Sequence, residues 1–238
     1  MVVGRNEPPM GINQHFIDFI HNERVNFTCG WPDSGIAPIE PMRIDEMDVI
    51  VESNSEFSAI QFRMTNALIT GQQHLWIDDL DMRVAGLILT FTMTIPLMTI
   101  IGDHQTSANM VNGVITIPIS GAGRINMACH NVNVQGTGQL RILANVGTLN
   151  LDRLVTTVQM PSVDATLTGF GALDGTMSRM ISSAAPGMVT NNQERINEDL
   201  TNLLVPALNR FLNQHTMVTL VNLMADRNQN PPPRRCFG

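Results

Sequence analysis

Between residues 42 and 168 this chain alternates apolar and polar side chains at a period of two, and between 197 and 224 the period becomes 3.6. Period two puts every second side chain on one face of a strand, and 3.6 collects side chains on one stripe of a helix. Strands are expected at 42–52, 57–70, 74–84, 87–101, 111–119, 123–135, 138–147 and 149–167. The turn-like "TGQQ", "GDHQ", "SGAG" and "QGTG" break them into a long antiparallel meander. The stretch 87–101, "LILTFTMTIPLMTII", is the most apolar run. It alternates with Thr and contains Pro96, so it reads as strand and not as a membrane span. Leu200, Leu203, Leu204, Leu208, Phe211, Leu212 and Val221 mark one long helix at 197–224, bent near Pro206. Residues 11–24 space Ile12, Phe16, Phe19 and Ile20 as a short amphipathic helix. A rigid loop with Pro32, Pro38 and Pro41 follows, and "GFGALDG" at 169–175 reads as the turn from the sheet to the final helices.

The sheet has one apolar face and the long helix one wide stripe, so each must bury against the other. The economical solution is an α+β fold, with a strongly curved antiparallel sheet wrapped around the C-terminal helix. A sheet of this size can enclose a lined tunnel. At 238 residues and 43% hydrophobic the chain supports a substantial core. A single domain over 1–228 and a loose Pro-rich tail over 229–238 are expected. The strand phase points Phe62, Met64, Leu89, Phe91, Met93, Ile95, Met98, Ile100, Ile115, Ile117, Ile119, Met127 and Cys129 inward, and the helix offers Leu204, Leu208 and Phe211. Sixteen Met against 5% aromatics suits a soft, adaptable lining.

Several function classes are disfavoured. A net charge of -7 argues against a nucleic-acid partner. No basic block suggests a membrane surface, and no glycine fingerprint suggests a nucleotide cofactor. No His or Cys pair stands at a metal-ligand spacing, so neither metal nor cofactor is expected. Of the three cysteines, Cys129 lies on the apolar phase of its strand and reads as a buried thiol. Cys29 and Cys236 lie near the two ends and are the candidates for a disulfide, although spacing alone does not pair them. Asn26-Phe27-Thr28 is a glycosylation sequon.

The chain contains no lysine and no tyrosine, and all 14 of its Lys+Arg residues are Arg. An ordinary chain of this length would hold roughly a dozen lysines. A neutral lysine amine attacks carbonyls, whereas Arg stays protonated and supplies charge without that reactivity. The composition suits a protein working among electrophiles. Lineage drift, or pressure against lysine-directed proteolysis or modification, would leave the same composition.

Four stretches in order resemble the takeout and juvenile-hormone-binding family of insects. "GWPDSGIAPIEPMRID" is similar to its Gly-Ile-Pro-x-x-Gly-Ile-Pro-Pro-x-(Asp/Glu)-Pro-x-x-Ile segment through Gly30, Gly35, Ile36, Pro38, Glu40, Pro41 and Ile44. "FRMTNALITGQQHLWIDDLDMRV" matches through Asn66, Leu68, Gly71 and Trp76, and "TIPLMTIIGDH" through Pro96, Met98, Ile100 and Gly102. "GAGRINMACHNVNV" matches a Gly-x-Gly strand whose apolar phase slips at His130–Asn131. The resemblance runs from about residue 11 to 226. It implies an elongated domain with a hydrophobic tunnel in a secreted carrier of a small lipophile, often an isoprenoid. The ligand-binding set would be Phe62, Met64, Phe91, Met93, Ile95, Met98, Ile117, Met127, Cys129, Leu204, Leu208 and Phe211. The ligand would be the only partner of a monomer. The family's N-terminal cysteine pair is missing, since no cysteine precedes Cys29, and nothing at the N-terminus reads as a signal peptide. The alternative on the same scaffold is a cyclase-type enzyme for a reactive isoprenoid aldehyde or dialdehyde, for which no catalytic residue can be named.

Overall fold

The computed structural model describes residues 11–31, 36, 38–51, 57–112 and 115–231. Seven strands among them form one antiparallel sheet: β1 Met42–Val51, β2 Phe57–Thr70, β3 Trp76–Arg83, β4 Ile88–Asn112, β5 Ile115–Ile142, β6 Leu149–Gln159 and β7 Ser162–Leu167. Strands β4 and β5 contain 25 and 28 residues, each a contour of roughly 80–90 Å at about 3.3 Å per residue. They pair along their whole length. Each is flanked on its outer side by two shorter strands laid end to end: β3 then β2 along β4, and β6 then β7 along β5.

Both outer pairs change over near Pro96 and Asn131. There the buried phase slips on both long strands, from Ile95 to Ile100 on β4 and from Cys129 to Val132 on β5. Asn131 takes the slip in a left-handed conformation, φ 52°, which Asn tolerates better than most residues. Asn66 does the same on β2, at a bulge between Thr65 and Leu68 opposite Gly102. The extra residue on β2 sharpens the local twist there; β4 and β5 stay in register through Pro96–Asn131, and the simultaneous slip of their buried phase marks the bend between two faces of the sheet.

The strands are therefore fewer and longer than the alternation suggested. "GDHQ", "SGAG" and "QGTG" are not turns but run inside β4 and β5. Their glycines serve close approach. A Cβ on Gly123 would lie 2.2 Å from the Thr168 carbonyl oxygen, and one on Gly136 would lie 2.2 Å from the Phe91 ring. The expected strand 111–119 is divided between β4 and β5. The expected strand 149–167 is two strands separated at Met160-Pro161.

The N-terminal helix α1 spans Ile12–Glu23 as expected. The C-terminal region is α2 Asp174–Asn191, α3 Gln193–Leu212 and α4 Met217–Gln229. The single helix expected at 197–224 is thus two. Pro206 does not interrupt α3; the break is at residues 213–216, where the Thr216 side chain caps α4 by accepting from the Thr219 N–H at 3.2 Å. Residues 232–238, and with them most of the expected tail, lie outside the described residues.

The helices lie along the edges formed by β3, β6 and β7 and satisfy backbone groups there. On α3, Gln193 accepts from the Val158 N–H at 2.9 Å and donates to its carbonyl. Asn197 accepts from Thr156 N–H at 2.6 Å. Thr201 donates to the Leu154 carbonyl at 3.2 Å. Asn209 accepts from Leu151 N–H at 2.6 Å and donates to the Leu151 carbonyl at 2.9 Å. Helix α2 treats β7 likewise: Ser178 and Ser182 accept from the N–H of Leu167 at 2.9 Å and Ala165 at 2.8 Å. The geometry matches because four helical residues rise about 6 Å and two strand residues about 6.6 Å. On β3, Asn13 and His21 of α1 accept from Met82 N–H and Ile77 N–H. A strand edge left bare would present unpaired backbone groups to other chains.

Candidate functional site: the apolar interior

The bend at Pro96–Asn131 divides the interior into two halves. In one, β1, β2 and β7 flank the long strands and α2 covers them. Here Ile60, Met64, Ile125, Leu167, Met177 and Ile181 are closed to solvent. In the other, β3 and β6 flank the long strands, and α3 and α1 complete the enclosure. Its apolar cluster is built on Met82, Leu140, Leu151 and Leu154, against which Ile12, Phe16, Leu89, Phe91, Leu204, Val205, Leu212 and Met217 pack while only partly buried. No residue of α3 is fully buried. Leu149, Leu220 and Met224, packed against Phe16, Phe19 and Phe211, plug the far end.

The residues expected to line a site fall into groups. Phe91, Met93 and Leu204 are half-buried, the first and last in the α3 cluster and Met93 beside the central core. Phe211 belongs to the end plug. Met98 and Met127 are half-buried at the bend. Phe62, Met64, Ile95 and Cys129 are closed into the central core. Ile117 and Leu208 are 42% and 41% exposed and do not line the interior. Ile117 lies on the free phase of the strand end, and Leu208 projects from α3 away from β6.

His104 escaped the sequence reading because "GDHQ" looked like a turn. The alternation Met98, Ile100, Gly102, His104, Thr106, Ala108 could have placed it on the inner face. It is 2% exposed, and its ring stacks between Phe62 and Phe170 at 5.9 Å and 5.4 Å between centroids. Nε2 lies 2.8 Å from the Thr168 carbonyl oxygen, which only accepts, so that nitrogen carries a proton. Nδ1 lies 2.9 Å from Thr106 Oγ1. With both nitrogens engaged, the ring is a cross-link between β4 and the start of the helical region.

The motif at the N-terminal end has a structural role. Glu40 is buried, and its carboxylate accepts from the backbone N–H of Gly71 at 2.9 Å and Gln73 at 2.6 Å, fixing the β2–β3 connection. Glu23 Oε2 accepts from Trp31 Nε1 at 2.7 Å and from Asn26 Nδ2 at 3.1 Å. Asn26 is 0% exposed, so its amide nitrogen is not available to carry a glycan in this fold. Cys129 is a free, fully buried thiol, and burial pushes its pKa up to about 11. Cys29 is disulfide-bonded; Cys236 lies outside the described residues. Among the described residues no group of His, Cys, Asp or Glu is placed to hold a metal, and no helix is long and apolar enough to cross a membrane.

Neither of two open concavities is lined by the cluster beneath α3, and the larger reaches the core residues Phe62 and Thr106. One of about 700 Å³ is lined by Asp48, Gln61, Arg63, Ser107 and Ser120, and one of about 600 Å³ by Arg24, His74, Trp76, Pro96 and Leu97. In the first, Arg63 bonds Asp48 at 2.8 Å and holds its carboxyl below the usual range.

A family model described as haemolymph juvenile hormone binding protein matches residues 5–222. No curated protein matches the sequence. Among solved structures, Takeout 1 of Epiphyas postvittana aligns over 86% of this chain and 93% of its own, at 15% identity and a TM-score of 0.66. That likeness shows the fold. A lipopolysaccharide binding protein aligns over 70% of this chain and 35% of its own, at 11% identity and a TM-score of 0.33, which bears on nothing further.

Proposed function

This chain belongs to the haemolymph juvenile hormone binding protein family, and we propose that it holds a small lipophile of isoprenoid size in the interior beneath α3. One observation carries this reading. Leu89, Phe91, Leu204 and Val205 face the core of that half yet stay partly accessible, and α3 buries no residue fully, whereas α2 buries Met177, Met180, Ile181 and Ala185. Close-packed interiors leave few such positions. Apolar walls with few polar groups are what a lipophile needs, and the half-buried Met93, Met98 and Met127 add an adaptable surface toward the bend.

The protein works as a secreted monomer, its domain running over residues 1–228. The haemolymph of the family description and the disulfide at Cys29, a feature of oxidising compartments, support secretion. The test is displacement of N-phenyl-1-naphthylamine fluorescence by apolar ligands of graded length. Phe91→Ala and Leu204→Ala should each weaken binding about tenfold, roughly 1.4 kcal/mol, while Met177→Ala, under α2, leaves the affinity of the folded protein unchanged. A protein that binds no apolar probe, or a Met177→Ala variant that binds as poorly as Phe91→Ala, refutes this placement.

A further inference from the structure

The chain keeps its cations and lacks its amines. Its 14 basic residues are all Arg, and tyrosine is absent. Arg does the surface work that lysine ordinarily shares: Arg63 pairs with Asp48 at 2.8 Å and Glu46 at 3.3 Å, and Arg141 with Asp152 at 3.3 Å. What is missing is therefore nucleophilicity and not positive charge, because guanidinium stays protonated where an amine does not. The fold completes the pattern. Cys129 is 0% exposed and Cys29 is tied in a disulfide. His104 has both nitrogens engaged, and His15, whose Nδ1 is buried, lies with Asp18 and Asn228 between α1 and α4 and outside the cluster beneath α3. The apolar walls beneath α3 are Leu, Met, Phe, Val and Ile.

We propose that this interior takes lipophiles bearing a reactive carbonyl, the α,β-unsaturated aldehyde class, and holds them without covalent capture. The inference rests on the carrier reading and specifies its ligand. An enal reacts with an amine at its carbonyl to give a Schiff base, and with a thiolate at its β-carbon. A pocket that concentrates such a compound raises the effective molarity of any nucleophile in its wall by orders of magnitude. One lysine there would be consumed by the first ligand bound. The buried thiol is a poor nucleophile for the same reason that it is inaccessible: desolvation disfavours its thiolate, and its pKa is about 11.

The test compares (E)-2-decenal with decan-1-ol on the folded protein. It reads displacement of N-phenyl-1-naphthylamine and, after borohydride reduction, adducts located by peptide mapping. Both compounds should displace the probe with affinities within about threefold of each other. The protein should gain no adduct at a residue of the cluster beneath α3, while the α-amine and exposed imidazoles such as His74, which also add to the β-carbon, react no faster than in a free peptide. Leu204→Lys should gain one reduced adduct at residue 204. Leu203→Lys, on the exposed side of α3 and safe for folding, should label no faster than an amine in a free peptide. Decanol binding without decenal binding overturns the ligand class and leaves the carrier reading standing. So does decenal labelling of wild-type side chains as extensive as that of Leu203→Lys. Failure of both compounds to displace the probe overturns this inference together with the carrier reading.

Discussion

Helix α2 lays Met177, Met180, Ile181 and Ala185 into the sheet, whereas α3, two residues longer, buries no side chain completely and is held to β6 through Gln193, Asn197, Thr201 and Asn209. Both helices close an edge of the same sheet. A fully buried Ile or Met stabilises by about 1.5–3 kcal/mol, and a typical hydrogen bond by about 0.5–1.5. Polar pairing fixes where α3 lies, to within a hydrogen-bond length, without filling the space beneath it. Apolar packing fills the space beneath Met177, Met180, Ile181 and Ala185 of α2. That difference is why the guest is proposed for the α3 half, the one with fewer fully buried contacts.

The largest expected effect separates the halves directly. Ile181→Ala should lose about 2–5 kcal/mol, as large-to-small changes in closed cores do, while Leu204→Ala loses less than about 2. Urea unfolding of both variants measures it, and equal losses would remove the distinction. A smaller effect tests what holds α3. Asn197→Ala leaves the buried Thr156 N–H and hydroxyl without their partner, at about 1–3 kcal/mol. Amide exchange at Thr156 should quicken with no matching change at Ala165 and Leu167 under α2. A change shared by both helices would mean that they unfold as one unit.

Acid supplies the smallest effect. Burial lowers the pKa of His215, and burial, with Arg24 as the lesser cause, lowers that of His21; Asp18 opposes the latter. Both residues belong to the α3 half. A histidine that binds its proton less readily folded than unfolded costs nothing above the unfolded value of about 6.5, and stability falls as pH drops below it. Exchange in α1 and α4 should therefore quicken between about pH 6.5 and 5 relative to α2. His215→Gln should blunt the response. A uniform response across all helices would place the sensitivity elsewhere.

Much of the fold was legible because alternation is a local property. Ile125, Met127 and Cys129, then Val132 and Val134, showed both the strand and its phase slip before any tertiary contact was known. The family motif placed Glu40 correctly in order, but not its two bonds to the β2–β3 connection. The turns were misread because glycine has two uses. Gly102, Gly123 and Gly136 resemble loop residues in sequence, and only the neighbouring Ala67, Thr168 and Phe91 show that a Cβ would collide there. Gln193, Asn197, Thr201 and Asn209 stand at helical spacing, where polar residues ordinarily face water. Their meaning required a strand edge lying alongside.

The sequence by itself determined the antiparallel sheet, the helical C-terminus, the absence of amines and which side chains are apolar, since each depends on residue identity and near neighbours. Tertiary structure alone decided that β4 and β5 run unbroken through their glycines, that helices seal the edges of β3, β6 and β7, and that α2 buries side chains in the sheet while α3 buries none fully. Those outcomes depend on which surfaces meet across tens of residues of chain, as in the Thr156–Asn197 and Val158–Gln193 bonds. Contacts at that separation leave no periodicity in the sequence.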